Sequence, residues 1–362
     1  VALPALAETL GRLASEGPDA AYSGSLAGRA AAYLADRGSP LRAEDFAVHR
    51  SDWGAPVAID YRGITSLSHP PNSSGPIALE MLGLLARFPP PPRAAFTSRG
   101  VEDADWVHLG LEAARIGLAD RDAVLTDPQQ MAADAVERLL DPQRLDELAS
   151  SIDRQRVGAV RPTPLTRGGT IYLATADAEG LLVSLIESNY SGFGSGLVDP
   201  ETGIAYQNRG AQFTLDSRHV NVLAPGKRTA HTLTPGMLMR AGRPWMAHGS
   251  MGGAIQPQVF TQFVSAVVDG ELDIATALAA PRWAAGDAYE LQPPLPTVLE
   301  RRYSDVVADE LRRRGHDVQW TEQEFSSSMG HAQAVQLLVD ESGGRSLTAA
   351  SDPRSHGAAL AW

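Results

Sequence analysis

The chain has 362 residues, 43% of them hydrophobic, with 31 Lys and Arg against 43 Asp and Glu for a formal charge of −12. That apolar share excludes a disordered chain, and the acidic balance argues against a nucleic-acid binder or a protein docked on an anionic membrane surface. The sequence contains no cysteine, which removes disulfides, thiolate nucleophiles, iron–sulfur clusters and Cys-ligated zinc.

No apolar run reaches the roughly 18 residues of a spanning helix. Val1-Ala2-Leu3-Pro4 lacks the basic start of a signal peptide and an initiator Met, so the chain reads as beginning partway into a longer gene product. The compartment is left open, with the cytoplasm slightly favoured. Pro4–Glu16 places Leu6, Leu10 and Leu13 on one stripe behind a helix-starting proline. An Ala-rich helix is expected over Asp19–Asp36, stopping at Arg37-Gly38. Val57–Tyr61 reads as a strand, and Pro70 to Gly75 as a turn. A strongly apolar helix follows over Pro76–Arg87, broken by Phe88 and four prolines. Helices are expected at Glu102–Asp120 and Pro128–Leu140, with a weaker one at Asp141–Ile152.

The texture then changes. Residues 154–169 are rich in Arg and Pro without apolar periodicity, and read as an exposed, flexible linker. Thr170 opens a β-rich half. Ile171–Asp177 and Leu181–Ser188 are strand-like around Ala178-Glu179-Gly180, and Gly192 to Gly196 forms a glycine loop. Short strands are expected at Gly203–Arg209 and Met237–Arg240, helices at Gln256–Asp269, Ile274–Ala279 and Tyr303–Arg314, and a closing strand at His331–Val339. There is no internal repeat. Helices followed by a β-rich half suggest layered sheets flanked by helices.

Common catalytic signatures fail. His248 stands where the first Gly of a nucleophile elbow around Ser250 belongs. Gly192 to Gly196 lacks the third glycine of a dinucleotide fingerprint, and Gly226-Lys227-Arg228 lacks the upstream glycine of a P-loop. The histidines show no zinc spacing, so neither a metal nor a cofactor is expected.

What remains is a linker that ends in Gly168-Gly169-Thr170 at a strand edge. If the Gly169–Thr170 bond is cut, Thr170 gains an α-amine that titrates near pH ~7.7–8.0 and can activate its own hydroxyl. Read locally, Thr170 is either that nucleophile or an ordinary strand threonine after a Gly-Gly turn. Hairpin geometry adds to the first reading. A three-residue loop with Gly180 left-handed pairs Asp177 with Leu181 and sets Ser188 opposite Thr170. A slip of one residue would turn Ser188 to the other face. Gly249-Ser250-Met251-Gly252-Gly253 is either an oxyanion-binding turn, whose amides point at a developing negative charge, or a plain turn between strand and helix.

In this order, these elements resemble the γ-glutamyltranspeptidase family of N-terminal-nucleophile (Ntn) hydrolases. The resemblance runs from Pro4 through Asp60-Tyr61-Arg62-Gly63, Pro70–Gly75, Thr170–Asp177, Phe193–Gly196, Pro225–Arg228, Gly249–Gly253 and Ala280-Pro281-Arg282 to Ser351-Asp352-Pro353-Arg354. It implies an α+β fold, an αββα four-layer sandwich with the Thr170 strand central. Residues 1–169 would be the C-terminal part of a large subunit, and 170–362 a small subunit of the same precursor. Thr170 would serve as autocleavage and catalytic nucleophile. Ser188 matches a family Thr that hydrogen-bonds near the nucleophile's amine, and Gly252 and Gly253 match the oxyanion pair.

The substrate positions depart from the glutamyl pattern. Gln212 stands where an acidic residue would meet an α-ammonium, His231-Thr232 replaces a Ser-Ser pair, and Tyr190 replaces an Asn. The Phe213–Gly226 loop is too short for a tyrosine-bearing lid. Arg209 either attracts an anionic group or is a solvated strand-end charge. Ser184 to Tyr190 and Met251 to Gln258 resemble a transpeptidase-like hydrolase subgroup, whose members include amidohydrolases and enzymes that cleave an acyl C–C bond. The resemblance therefore implies hydrolysis of a small acyl–amine substrate with water or an amine as acceptor, and classical glutathione chemistry is less expected. The alternatives are an uncleaved or non-catalytic homologue that binds a small carboxylate, and a C–C bond-cleaving acyl hydrolase of specialised metabolism.

Overall fold

A computed structural model describes residues 2–159, 169–286, 296–340 and 342–362. Residues 160–168 of the expected linker, including Gly168, lie outside the described residues. The chain divides into two compact units, one formed by the segment ending at Ala55 with Phe193–Asn208, the other by Pro56–Gly192 with Arg209–Trp362. This division falls elsewhere than 169/170, a junction expected to separate covalent pieces rather than compact units.

The first unit is helical. Helix α1, Pro4–Glu16, starts on its proline and stops at Gly17. The expected Ala-rich helix is two, α2 (Asp19–Tyr22) and α3 (Ser25–Ala35), divided at Ser23-Gly24. α4 spans Ala43–Ala47. Segment 193–208 is tied to these helices by Thr9 donating to the Thr202 carbonyl at 2.9 Å and by a two-pronged Arg29–Asp199 pair at 2.8 and 2.9 Å. Gly203–Arg209 forms no strand. Val198 and Ala205 share one bridge, Gly203 is left-handed at φ 68°, and Arg209 opens a 3-10 turn running to Gln212.

The second unit begins with strands β1 (Val57–Tyr61) and β2 (Ile64–Ser68) and helix α5 (Gly75–Leu85). Two-residue strands β3 (Phe96–Thr97) and β4 (Gly100–Val101) precede α6 (Ala104–Val124), α7 (Ala135–Leu139) and α8 (Pro142–Ser151). The helix expected over Pro128–Leu140 is only a 3-10 turn, Pro128–Gln130, capped by Asp127, and then the short α7. Next come β5 (Gly169–Ala176), β6 (Leu182–Tyr190), β7 (Gly236–Arg240), β8 (Arg243–Met251), α9 (Gln256–Val268) and α10 (Ile274–Ala279). The chain closes with β9 (Trp283–Ala285), β10 (Thr297–Leu299), α11 (Asp305–Arg313), β11 (Val318–Trp320), β12 (His331–Val339) and β13 (Arg345–Ser351).

One antiparallel sheet of six strands, in the order β1-β2-β7-β8-β12-β13, carries the second unit. Helix α5 is apolar except for Glu80, which pairs with Arg144, and is buried at every residue, so it lies inside the helical layer, in contact with α6, α9, β1 and β2. The β5–β6 hairpin is a separate two-stranded ladder. Its inner face joins Leu182 to Ala247 of β8 and to Val335 and Leu337 of β12. Its other face is open, with Ile171 65% and Leu173 51% exposed.

Helix, sheet and hairpin thus stack as α, β and β in an α+β fold, and no helical layer covers the outer face of the hairpin among the described residues. β5 pairs with β6 alone, so the Thr170 strand is not central within its ladder there.

Candidate active site

The hairpin register is the one the loop length dictates. Gly180 takes φ 90°, the Leu181 N–H donates to Asp177 Oδ1 at 2.9 Å, and Thr170 faces Ser188. A bulge at Gly169/Thr170 then sets Gly169 opposite Tyr190. The Thr170 hydroxyl donates to Ser188 Oγ at 2.9 Å, and Ser188 Oγ donates to the Gly169 carbonyl at 3.0 Å. The Tyr190 N–H also donates to Ser188 Oγ, at 2.9 Å, which fixes its rotamer. Both hydroxyl residues are half-buried. Gly169 has a packing reason to lack a side chain. A Cβ there would lie 2.9 Å from the nitrogen and carbonyl carbon of Gly192 and would overlap its carbonyl oxygen.

Arg209 sits beside this pair. Its guanidinium donates to Gln212 Oε1 at 3.2 Å, reaches the Ser188 carbonyl at 3.5 Å, and lies 5.1 Å from the centre of the Tyr190 ring. It is half-buried, and burial lowers its pKa from the usual guanidinium value. Arg209 is therefore not a solvated strand-end charge.

His231 and Thr232 belong to a segment laced to the Pro70–Gly75 turn. The His231 N–H donates to the Asn72 carbonyl at 2.8 Å, the Ser74 hydroxyl donates to the His231 carbonyl at 3.0 Å, and Ser73 donates to the Leu233 carbonyl at 2.5 Å. Burial first, then the charges of Arg209 and His69, hold the His231 imidazole down to a pKa of about 3. Thr232 is buried, and its carbonyl accepts from Thr234 at 2.9 Å.

Asn221 was not anticipated. Its amide donates to the Gln212 carbonyl at 2.9 Å and to Thr229 Oγ1 at 3.0 Å, and its oxygen accepts from the Ala230 N–H at 3.1 Å. It ties the Gln212 turn to the His231 segment. The only sequence signal was a polar residue between two valines in a loop.

Gly252 and Gly253 end β8 and open a 3-10 turn that runs into α9, both buried, with φ of 144° and 58°. A Cβ on Gly252 would lie 2.8 Å from Ile255 Cγ1 and 3.2 Å from the Gly330 Cα. Neither N–H has an acceptor among the described residues. A helix start with unengaged amides is an anion-binding feature. β5 crosses β8 nearby, where a Cβ on Gly249 would overlap the Tyr172 ring. Among the described residues, no hydrogen bond joins Thr170 to Gly252 or Gly253, nor to His231 or Thr232.

Behind the glycine turn lies a buried ionic cluster built on Arg282, Asp352, Arg354 and Glu300. Arg282 donates to the Met329 and Gly330 carbonyls, both at 2.8 Å, and pairs with Asp352 at 2.5 Å. Asp352 also pairs with Arg354 at 3.0 Å, and Arg354 pairs with Glu300.

One set of side chains has the makings of a metal site: His108 and Glu112 of α6 with His316, whose ligand atoms lie within 4.8 Å of one another. Its nitrogens are already engaged. His108 Nε2 bonds the Asp153 carbonyl at 2.8 Å, so Nε2 carries the proton and Nδ1 accepts from His316 Nε2 at 2.7 Å. His316 Nδ1 bonds the Thr297 hydroxyl at 3.0 Å, and Arg115 stands 3.5 Å from Glu112. The cluster is a chain of neutral imidazoles beside a cation, and a metal ion does not suit it.

Stacked antiparallel ladders under helices, with a hydroxyl residue at the head of the inner hairpin, are the architecture of an Ntn hydrolase. The chain belongs to the gamma-glutamyltranspeptidase family, whose profile matches residues 1–362. It is 38% identical over 360 residues to a glutathione hydrolase-like YwrD proenzyme of Bacillus subtilis, covering 98% of this chain and 65% of that protein. It is 37% identical over 363 residues to an oxamate amidohydrolase proenzyme of Klebsiella pneumoniae, covering 99% of this chain and 65% of that one. A cephalosporin acylase crystal structure from Bacillus halodurans superposes with a TM-score of 0.86 at 36% identity, over 99% of this chain and 62% of that one. The chain thus spans about two thirds of the length of these relatives. No described helix is long and apolar enough to cross a membrane.

Proposed function

We propose that this protein is an acyl hydrolase that matures by cutting its own Gly169–Thr170 bond and then uses Thr170 as its nucleophile. The observation that carries this reading is Ser188 Oγ, which accepts from the Thr170 hydroxyl and donates to the Gly169 carbonyl. One side chain thus touches both the attacking oxygen and the oxygen on which negative charge would develop.

In maturation, Thr170 Oγ1 attacks the Gly169 carbonyl carbon and its proton passes by way of Ser188 toward the departing nitrogen. The C–N bond breaks, leaving an ester between Gly169 and the Thr170 side chain. Water hydrolyses that ester, releasing a Gly169 carboxylate and a Thr170 with free amine and free hydroxyl. The pieces on either side of the cut become the large and small subunits of one precursor. In turnover, the new α-amine takes the proton of its own hydroxyl, and the oxygen adds to the substrate acyl carbon. The Gly252 and Gly253 amides meet the resulting oxyanion, an interaction worth roughly 2.7–4 kcal/mol per donor in acyl transfer. The amine leaves with the proton, and water or a second amine takes the acyl group. Relatives named as hydrolases and an acylase of amide-type bonds support an acyl–amine substrate.

The test is intact-mass analysis of the purified protein. Wild type is expected as two chains meeting at Gly169–Thr170, and the Thr170→Ala variant as one. A wild type that stays whole yet hydrolyses amides overturns the reading.

A further inference from the structure

Side chains alternate along β5, so Thr170 and Tyr172 share the face turned to the large sheet, while Ile171 and Leu173 are exposed on the other. Tyr172 is buried, and its ring fills the space that a side chain at Gly249 of β8 would need. A Cβ there would lie 2.5 Å from the ring Cδ2 and 2.9 Å from Cζ. Ser184 Oγ donates to the His248 carbonyl at 3.3 Å and so accepts from the Tyr172 hydroxyl, at 2.8 Å. Burial raises the Tyr172 pKa, so the phenol keeps the proton it donates. The hairpin is thus fastened to β8 in mid-strand, by a ring seated on a glycine and by a relay of two hydroxyls to the neighbouring carbonyl.

Two contacts set the direction in which β5 passes over β8. Ala174 and Ala176 pack on the cluster that includes Ala247, and Tyr172 sits on Gly249. Moving two residues back along β5 therefore advances two along β8. One further step of two brings β5 to Thr170 and β8 to Met251, the residue before Gly252. A displacement of the Tyr172 ring is therefore carried to Thr170, two residues away, relative to the glycine turn. Thr170, Ser188 and Gly169, by contrast, hold one another within the hairpin and move with it as a unit.

We propose that Tyr172, seated on Gly249 and held through Ser184, is a positioning residue that sets the Thr170 hydroxyl against the Gly252 and Gly253 amides. It acts in turnover and not in maturation, whose hydrogen-bonded groups all lie inside the hairpin. This rests on the reading of Thr170 as nucleophile, so the two steps are measured separately.

Maturation is followed by intact mass. Turnover is followed by hydrolysis of p-nitrophenyl acetate, an activated ester that makes little demand on an acyl pocket, with Thr170→Ala as the background. Tyr172→Leu removes the ring and its hydroxyl, and Gly249→Ala drives a methyl into the ring. Each is expected to mature at close to the wild-type rate and to turn over about a hundredfold more slowly, the scale of a misplacement of about 1 Å. Tyr172→Phe keeps the ring on Gly249, loses only the bond to Ser184, and is expected to cost much less. The double variant Gly249→Ala/Tyr172→Leu, in which the methyl has room, is expected to turn over faster than Gly249→Ala alone. Melting temperatures keep every assay on folded protein, and Tyr172→Leu carries the test if Gly249→Ala does not fold. Wild-type turnover in the single variants, or maturation and turnover reduced by the same factor, overturns the proposal. A wild type that is never cut, or that is no faster than Thr170→Ala on the ester, counts against Thr170 as nucleophile and takes the proposal with it.

Discussion

Arg282 and Gly330 are joined by a hydrogen bond of 2.8 Å from the guanidinium to the backbone carbonyl, and Gly330 packs directly behind Gly252. The glycine turn therefore rests on a charged residue that is itself buried and held by Asp352. Removing one partner of a buried ion pair leaves the other charge uncompensated, at a cost of about 3–5 kcal/mol. Arg282→Met is accordingly expected to lower the unfolding free energy read from urea titration by that scale and to reduce amide hydrolysis along with it. Arg282→Lys keeps the charge but cannot donate to two carbonyls while holding Asp352, so it is expected to recover stability better than activity. Wild-type stability in the Met variant would show that the cluster does not brace the turn.

Ser188 offers a sharper separation between structure and chemistry. Its Oγ is half-buried and makes all of its protein hydrogen bonds within the Gly169–Tyr190 ladder. Ser188→Ala removes the group that touches both reacting oxygens and leaves the hairpin loop intact. Positioned proton transfer typically contributes 10²–10⁴-fold, so maturation is expected to slow by about a hundredfold or more. Ser188→Thr keeps the hydroxyl on the same face and is expected to mature at close to the wild-type rate. Gel densitometry of the two fragments over time reads both variants, and an Ala variant that processes as fast as wild type removes Ser188 from the mechanism.

Gly169→Ala tests the junction from the other side. The added methyl would be driven into the Gly192 backbone, and backbone cannot yield as the end of a flexible side chain can. The bulge at Gly169/Thr170 is expected to open, moving the scissile carbonyl away from Ser188 and abolishing cleavage while the protein remains folded by circular dichroism. Cleavage at the wild-type rate in this variant would show that the junction is not held by close packing.

How much of this was legible in the sequence differs from element to element. The Thr170–Ser188 pairing was, because a three-residue loop ending in a left-handed glycine admits one register and the alternation of side chains does the rest. Helix α1 and strands β1 and β12 were legible from their proline start or their apolar pattern. Strand β8 was not, since its end, Gly249-Ser250-Met251, reads as a turn and is a strand because β12 pairs with it through His331–Gln333. Strand β13 is built of small and polar residues and is recruited by β12. The site's supporting groups were hidden for a related reason. Arg282 and Asp352 are 70 positions apart, and Asn221 does its work partly through the Gln212 carbonyl and the Ala230 N–H, backbone groups that no pattern of residue types reveals.

Acid sensitivity follows from histidines buried in neutral form. His248 has its ring 4.6 Å from that of Phe260 and 5.1 Å from that of Phe263, with Nε2 buried and unpartnered, and burial alone holds its pKa down to about 3. His316, in the imidazole chain with His108, is likewise held to about 3, by burial first and then by His108, Arg115 and Arg314 around it. In the unfolded chain each titrates near ~6.5. As pH falls below that value the unfolded state binds protons that the native state refuses, so stability drops, and the slope persists until the native rings themselves protonate near the lower value. Each such histidine contributes up to about 1.4 kcal/mol per pH unit in this window. Urea unfolding of wild type between about pH 7.5 and 4.5 is therefore expected to show stability falling steadily with acid. His248→Gln is expected to flatten that slope by about one proton's worth, because glutamine does not titrate. An unchanged slope in the variant would mean that His248 is protonated in the native state or reached by water, contrary to its packing between the two phenylalanines.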